Sequence, residues 1–295
     1  MKEEQASSTA FTVVQGILYT ARRSDLRGLV DDEMVKACHK ILAASQEGQR
    51  RLRQLNSFWF RGIARVLERL TLPGITVHYV LRKKFIEDYV LESVAKGATQ
   101  VINLGAGFDT LAYRLSQENP EVNFIEIDHP ATHKVKVEAL SGPDTPKDNL
   151  HFIPVDFAKQ KLEDVLRESS AFDKDRSTVC IVEGVLMYLD ISDVSHLFQA
   201  LKELIHAPVR CVFTAVEPMS EHPKSFGPLL KLYLGMKGEP MNWTCLCRDM
   251  PAFVEKQGYV LGMVADADEF KRRYLSSDYK GFLHRGEYGV TVERL

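Results

Sequence analysis

With 295 residues, 45% hydrophobic and 26% charged, the chain has the composition of an ordinary soluble globular protein and is long enough for one α/β core with an appended cap. No apolar run approaches the roughly 20 residues that span a bilayer. The polar, acidic start Met1-Lys2-Glu3-Glu4-Gln5 lacks the apolar stretch of a signal peptide, so a cytoplasmic protein that meets no membrane is expected. The net charge of −2 is unevenly spread, with 16 Lys+Arg against 11 Asp+Glu in residues 1–98 and 22 against 29 beyond. That balance, with no recognition-module motif, argues against a nucleic-acid partner. The basic N-terminal part suits an anionic small substrate and equally a solvated helical surface. Of the five cysteines, Cys38, Cys180, Cys211, Cys245 and Cys247, only the last two are close, and C-x-C without a second Cys or His pair is a poor metal signature; free thiols and no metal are expected.

Residues 1–97 read as a helical cap. Apolar residues recur at helical spacing over Phe11 to Tyr19, Asp32 to Ala44 and Phe58 to Leu70, the last stopping at Leu72-Pro73-Gly74. A further helix runs from His78 to Glu92. Within it Lys83 meets Glu87 and Lys84 meets Asp88 at i,i+4, which predicts two solvent-side pairs. Arg82 has no such partner: its i+3 and i+4 neighbours are Phe85 and Ile86, so its guanidinium belongs to the core-facing side, where an unpaired cation is costly. Either a core carboxylate or a ligand carboxylate must answer it.

From Val101 the texture changes. Apolar strands at Val101 to Leu104, Asn123 to Ile127, His151 to Val155, Thr178 to Val182, Val209 to Val216, Tyr259 to Val264 and Gly289 to Val292 alternate with helices. This pattern predicts an α/β fold with a doubly wound, seven-stranded, mostly parallel sheet of Rossmann-like type, in which ligands sit at the carboxyl ends of the strands. The core is expected over residues 98–217 and 248–295. Between them Pro218 to Cys247, apolar and Pro-rich, reads as an inserted helical lid over the site. Asp249 to Gln257 is the following helix, and the tail around Gly286 and Gly289 looks like a closing hairpin.

The first strand runs into Gly105-Ala106-Gly107-Phe108-Asp109-Thr110, the manner in which a buried strand hands over to a helix beneath a bound nucleotide, with Asp109 suited to cap that helix. Asp128 closes the second strand 23 positions after Gly105, near the offset at which an acid binds ribose hydroxyls. Asp156 with Phe157 follows the third strand, a carboxylate for an adenine amino group beside an aromatic ring, and Glu183 follows the fourth. Each acid alone has an ordinary explanation as a cap or surface charge; three in succession after Gly-x-Gly favour a nucleoside site. Thr110 stands where a dinucleotide fingerprint wants its third glycine, which weakens an NAD reading. S-adenosylmethionine has no pyrophosphate. It needs an acid for the ribose, polar contacts for adenine and partners for its amino and carboxylate groups, which Glu183 and Arg82 can supply.

Asn103-Leu-Gly-Ala-Gly-Phe-Asp-Thr110, Phe124-Ile-Glu-Ile-Asp-His-Pro130, Val155-Asp156-Phe157 and Glu183-Gly-Val-Leu-Met-Tyr-Leu189, in this order, resemble the leucine carboxyl methyltransferase family of class I S-adenosylmethionine enzymes, over about Arg82 to Ile205. Leu72-Pro-Gly-Ile75 with His78-Tyr-Val-Leu-Arg-Lys83 resembles more narrowly the tetracenomycin-type branch that methylates polyketide carboxyls. The resemblance implies that Arg82 holds the methionine carboxylate, Gly105 and Gly107 the methionine backbone, Asp128 the ribose, Asp156 and Phe157 the adenine and Glu183 the amino group, with Tyr188 facing the reacting centre.

A carboxylate acceptor, ionised at pH 7 with a reference pKa of about 4, needs no general base, whereas a phenol near 10 wants one. No histidine stands out as such a base; His129 and His133 flank the ribose corner but suit structural roles better. The expectation is therefore an O-methyltransferase acting on a small-molecule carboxylic acid, with Tyr188 orienting the acceptor. Arg22 and Arg23 are candidate anion anchors, although a solvated helix end beside Asp25 accounts for them as well. A protein C-terminal carboxyl or a phenol as acceptor, an NAD(P)-dependent oxidoreductase and a non-catalytic nucleoside-binding protein remain as alternatives, and the sequence leaves monomer or homodimer open.

Overall fold

The structure, a computed structural model, describes residues 6–142, 145, 148–157, 159–222 and 241–294. Five helices come first: α1 (Ser8–Ala21), α2 (Asp32–Ala43), α3 (Gln46–Asn56), α4 (Phe58–Thr71) and α5 (Ile75–Ala95). Their starts are local chemistry. The side chains of Ser7, Asp31, Ser45 and Ser57 accept from Ala10, Met34, Gly48 and Phe60 N–H, each satisfying one orphan donor of a first helical turn. The polar α3 was absent from the sequence reading because it has almost no apolar periodicity to read; Leu55 is the buried large side chain that fastens it.

Seven strands then alternate with helices: β1 (Gln100–Leu104), α6 (Leu111–Glu118), β2 (Asn123–Asp128), α7 (Pro130–Leu140), β3 (Leu150–Pro154), α8 (Leu162–Glu168), β4 (Thr178–Val182), α9 (Ile191–Leu204), β5 (Val209–Val216), α10 (Met250–Lys256), β6 (Val260–Ala265), α11 (Ala267–Tyr274) and β7 (Glu287–Arg294). They form one seven-stranded sheet in the order β3-β2-β1-β4-β5-β7-β6. Pairing is parallel except along β7, which runs antiparallel to both β5 and β6. Both faces are covered, which explains why the central strands read as unbroken apolar runs. Val101, Phe124, Val179 and Val212 pack with α1, α2, α5 and α6 on one side; Ile102, Ile125, Cys180 and Cys211 pack with α8, α9 and α10 on the other.

The doubly wound fold expected from the sequence is the fold observed. The tail differs from a tight hairpin, because α11 and the stretch to Gly286 lie between β6 and β7, and β7 inserts between β5 and β6. Most of the expected lid, residues 223–240, lies outside the described residues. Among the described residues no helix is long and apolar enough to cross a membrane.

Candidate active site

Parallel winding brings the ends of β1, β2, β3, β4 and β5 to one rim, and the reversed β7 adds its first residue, Glu287, opposite Val216 of β5. The expected cofactor-binding residues therefore share an edge. Gly105 turns the chain out of β1 at φ +68°, and a Cβ there would lie 2.4 Å from Val185 Cγ2, so glycine lets the turns after β1 and β4 pack together. Gly107, at φ +51°, donates its N–H to Asp128 Oδ2 at 2.5 Å. The other oxygen of Asp128 accepts from His129 N at 2.6 Å. Burial raises the Asp128 carboxyl above its ordinary pKa, and these N–H groups pull the other way. His129 caps α7, its Nδ1 accepting from Ala131 N at 3.3 Å. Asp156 follows β3 and pairs with Lys159 at 3.2 Å, while the Phe157 ring beside it is exposed.

The densest part of the rim lies where α5 passes β4 and β7. Arg82 Nε donates to Glu183 Oε1 at 2.6 Å, and Nη1 donates to both Glu287 oxygens at 2.8 and 2.7 Å. A core carboxylate thus answers the cation singled out in the sequence, and there are two of them. Lys83 Nζ lies 2.6 Å from Glu183 Oε2 and 3.0 Å from Asp109 Oδ2. His78 Nε2 pairs with Glu287 Oε2 at 2.9 Å. Burial alone would depress the two cations and raise Glu287, but the partners outweigh it. Glu287 and Glu183 hold Arg82 above its usual pKa, Asp109 and Glu183 do so for Lys83, and Arg82 with His78 brings Glu287 well below the carboxylate range.

The predicted Lys83–Glu87 pair is not what forms. Lys83 is buried with Asp109 and Glu183, and Glu87 takes the guanidinium of Arg114 at 2.8 and 2.5 Å. An exposed i,i+4 pair is worth only a few tenths of a kcal/mol, far less than charge-assisted bonds to carboxylates already placed by the strand tips. Lys84 likewise lies over the Tyr274 ring, while Asp88 accepts from the Tyr274 hydroxyl. Asp109 supports α6 as expected, its Oδ1 accepting from Leu111 N at 3.0 Å, although Thr110 occupies the N-cap position.

Tyr188 closes a short turn of 3-10 helix after β4 and is partly exposed, and its carbonyl accepts from Asn242 Nδ2 at 3.1 Å. Arg22 and Arg23 lie at the far end of α1. Arg22 donates to Leu55 O and Asn56 Oδ1, and Arg23 is held by both oxygens of Asp25. The structure does not bring this pair to the strand-tip acids. A cavity of about 670 Å³ lies near them, bounded by Arg27, Lys84, Tyr274 and Lys280, on the outer flank of α5. A smaller one, about 250 Å³, lies at the rim between Glu217 after β5 and Asp266 after β6, with His222 and Cys247.

Glu287, Lys83, His78 and the His222–Glu217 pair were missed from the sequence. Glu287 was overlooked because the last strand was begun at Gly289; the alternation of Tyr288, Val290 and Val292 on one side against Glu287, Gly289 and Thr291 on the other was the available signal. Among the described residues no cluster of His, Cys, Asp or Glu suits a metal ion.

A doubly wound sheet with carboxylates at successive strand tips and Gly-x-Gly after its first strand defines the fold of class I methyltransferases, whose cofactor is S-adenosylmethionine. The chain belongs to the leucine carboxyl methyltransferase family, whose sequence model matches residues 12–202. It is 24% identical over 200 residues to the putative S-adenosyl-L-methionine-dependent methyltransferase YktD of Bacillus subtilis, covering 66% of this chain and 65% of YktD. It is 34% identical over 125 residues to the similarly named Rv3399 of Mycobacterium tuberculosis, covering 42% of this chain and 35% of that protein. The chain thus spans less than two thirds of the length of these relatives. Among solved structures, a DUF574 family protein from Streptomyces avermitilis superposes with a TM-score of 0.60 at 13% identity, covering 99% of both chains. A putative methyltransferase from Thermobifida fusca superposes with a TM-score of 0.56 at 16% identity, over 87% of this chain and 92% of that one. At these identities the likeness is one of fold.

Proposed function

We propose that the chain is an S-adenosylmethionine-dependent O-methyltransferase that esterifies a carboxylate of a small molecule. The observation that carries this reading is the Arg82–Glu183 pair at the tip of β4, in line with Asp128 and Asp156 along one rim. Bound there, S-adenosylmethionine supplies a methyl group activated by its sulfonium. The residues present fit it. Phe157 offers an open ring face for adenine and Asp156 a carboxylate for the amino group; Asp128, already fixed by two backbone N–H groups, keeps lone pairs for ribose hydroxyls. Arg82 commits Nε and Nη1 to Glu183 and Glu287 and turns Nη2 to within 3.8 Å of where a Gly184 Cβ would stand, so this nitrogen can meet a ligand carboxylate while the others hold the fork still. Glu183 accepts one bond on each oxygen and retains acceptor capacity for the ligand's ammonium.

With an ionised carboxylate as acceptor the protein has no proton to remove. Its work is alignment and exclusion of water, and in this reading the partly exposed Tyr188 orients the acceptor. Radiolabelled methyl transfer into a panel of aromatic acids, with titration calorimetry of S-adenosylmethionine, S-adenosylhomocysteine and NAD, tests this reading. Preferential binding of NAD sinks it, and cofactor binding without transfer to any acceptor favours a nucleoside-binding protein.

One observation favours a hydroxyl acceptor instead. His222 Nε2 pairs with Glu217 at the tip of β5, a His–carboxylate arrangement suited to taking a proton. His222→Ala separates the two: transfer to carboxylates survives it, whereas transfer to a phenol falls by roughly 10² to 10⁴.

A further inference from the structure

Helix α4 wears its amphipathicity inside out. Its polar side is turned to the body of the protein: Arg61 Nη1 donates to Leu55 O at 2.9 Å, Arg65 Nε to the Tyr19 hydroxyl at 3.4 Å, and Glu68 Oε1 accepts from Thr76 N and Oγ1 at 3.2 and 3.0 Å. The Arg69 guanidinium lies over the Phe282 ring. The apolar side faces out, with Phe58 73%, Trp59 79%, Ile63 66% and Val66 58% exposed, continued by Leu67 and Leu70. A surface helix in water ordinarily does the reverse.

Two quantities say what covers such a face. With an aromatic side chain carrying about 150–250 Å², these exposures sum to apolar surface on the order of 700–800 Å². The largest patch on a typical monomer is about 300–600 Å², whereas one side of a standard protein interface contributes about 800 Å². The second quantity is the space at Gly62. It sits on the same stripe, three residues after Trp59 and four before Val66, and nothing lies within 4 Å of where its Cβ would be. Glycine inside a helix costs about 1 kcal/mol relative to alanine. At an open position that cost brings no gain within the molecule, but it leaves a notch into which a ridge from a facing helix can settle.

We propose that this face is a homodimer interface, α4 packing on α4 of a second copy about a two-fold axis near Gly62 and Ile63. A self-complementary stripe meets the requirement of an isologous contact. Its charged residues flank the stripe, Arg61 and Glu68 half-buried and Arg65 and Arg69 exposed beside it, so the centre is apolar and free of charged groups, as homodimer cores are. The inference is independent of the methyltransferase reading. A membrane surface is the less suited occupant, because an interfacial helix presents its basic residues beside the apolar face, and here three arginines are engaged with the protein.

Sedimentation velocity on the full chain from about 1 to 100 μM tests this, a range that brackets micromolar dissociation. The wild type is expected to be a dimer. Ile63→Glu, which puts a carboxylate at the apolar centre, and Gly62→Leu, which fills the notch without adding charge, are each expected to raise the dissociation constant by about tenfold or more. Both should leave the circular dichroism and S-adenosylmethionine affinity unchanged. A wild type that is monomeric throughout overturns the proposal, as does a dimer whose dissociation neither substitution alters. Co-sedimentation of a monomer with phosphatidylserine-containing vesicles, lost in Ile63→Glu, overturns it too and assigns the face to a membrane.

Discussion

Arg82 on α5 and Glu183 at the tip of β4 meet at 2.6 Å, joining the last helix of the N-terminal run to the centre of the sheet's functional rim. Glu287 clamps the same guanidinium from β7, so three elements far apart in sequence converge on one cation. An arginine held in this way is rigid before any ligand arrives, which lowers the cost of orienting one. The same arrangement makes Arg82 structural, and its removal has two consequences that can be measured apart.

Arg82→Ala is expected to lower unfolding stability by about 3–5 kcal/mol, because it takes the guanidinium from two buried carboxylates and leaves Glu183 with Lys83 and Glu287 with His78. Denaturant titration measures this. S-adenosylmethionine binding should weaken by about 2–4 kcal/mol by calorimetry under conditions where the variant is folded. A loss of stability with unchanged affinity would remove Arg82 from the cofactor site and leave it a brace. Arg82→Lys keeps the charge but cannot span both carboxylates while keeping a nitrogen free, so it should recover more stability than affinity.

Glu287→Gln should weaken S-adenosylmethionine binding although Glu287 is not expected to touch the ligand. Its carboxylate aims the Arg82 fork through Nη1, and a neutral amide offers only one acceptor oxygen for two bonds. Calorimetry is expected to show a loss smaller than that of Arg82→Ala. A loss as large as or larger than that of Arg82→Ala would mean that Glu287 contacts the ligand itself.

The parts of the fold governed by local pattern were legible: Gly-x-Gly after an apolar run, the acids at the ends of β2, β3 and β4, and the N-terminal helices other than the polar α3. Arg82 stood out for a physical reason, a cation on an apolar helix face, although what answered it was hidden. Glu287 is 205 residues away in sequence, on a strand whose antiparallel insertion beside β5 no local pattern announces. Lys83 was misread for the complementary reason. A local partner at i+4 was visible, and the stronger, distant ones, Asp109 and Glu183, were not. Sequence spacing ranks near neighbours well, but buried charge is settled by topology.

Glu126 on β2 and Lys136 on α7 form a buried ion pair at 2.5 Å beneath the Asp128 corner, and burial raises the Glu126 carboxyl to about 7 despite the lysine. Removing one partner, as in Lys136→Met, should cost about 3–5 kcal/mol. Replacing both, as in Glu126→Leu with Lys136→Met, should return most of that loss or exceed wild-type stability, because two desolvation penalties vanish together. Chemical denaturation of the three variants gives the coupling energy. A double variant as unstable as the sum of its singles would show zero coupling, so that each side chain stabilises the fold independently of the other.

Tyr188→Phe removes a hydroxyl near the proposed acceptor while keeping the ring. If it orients the acceptor, kcat/KM should fall with S-adenosylmethionine affinity nearly constant, since an interaction made with the acceptor and strengthened towards the transition state lowers turnover. Steady-state kinetics beside calorimetry decide this. Equal losses in both would place Tyr188 against the cofactor instead.

Buried His284 should make the fold sensitive to acid. Burial lowers its pKa from 6.5 to about 3, with the neighbouring His78, Arg82 and His222 acting in the same direction and Glu287 opposing. Between those values the unfolded chain binds a proton at this site that the folded chain does not, so this contribution to stability is complete above about pH 6.5 and is lost progressively as the pH falls towards 3. His284→Phe keeps an aromatic ring facing His78, whose ring centroid lies 5.4 Å away, and abolishes the titration. Urea unfolding from about pH 8 to 4 should therefore show a shallower acid decline for the variant than for the wild type. Parallel declines would mean that His284 is protonated as readily in the folded protein as in the unfolded chain, and that the carboxylates of the rim govern acid lability instead.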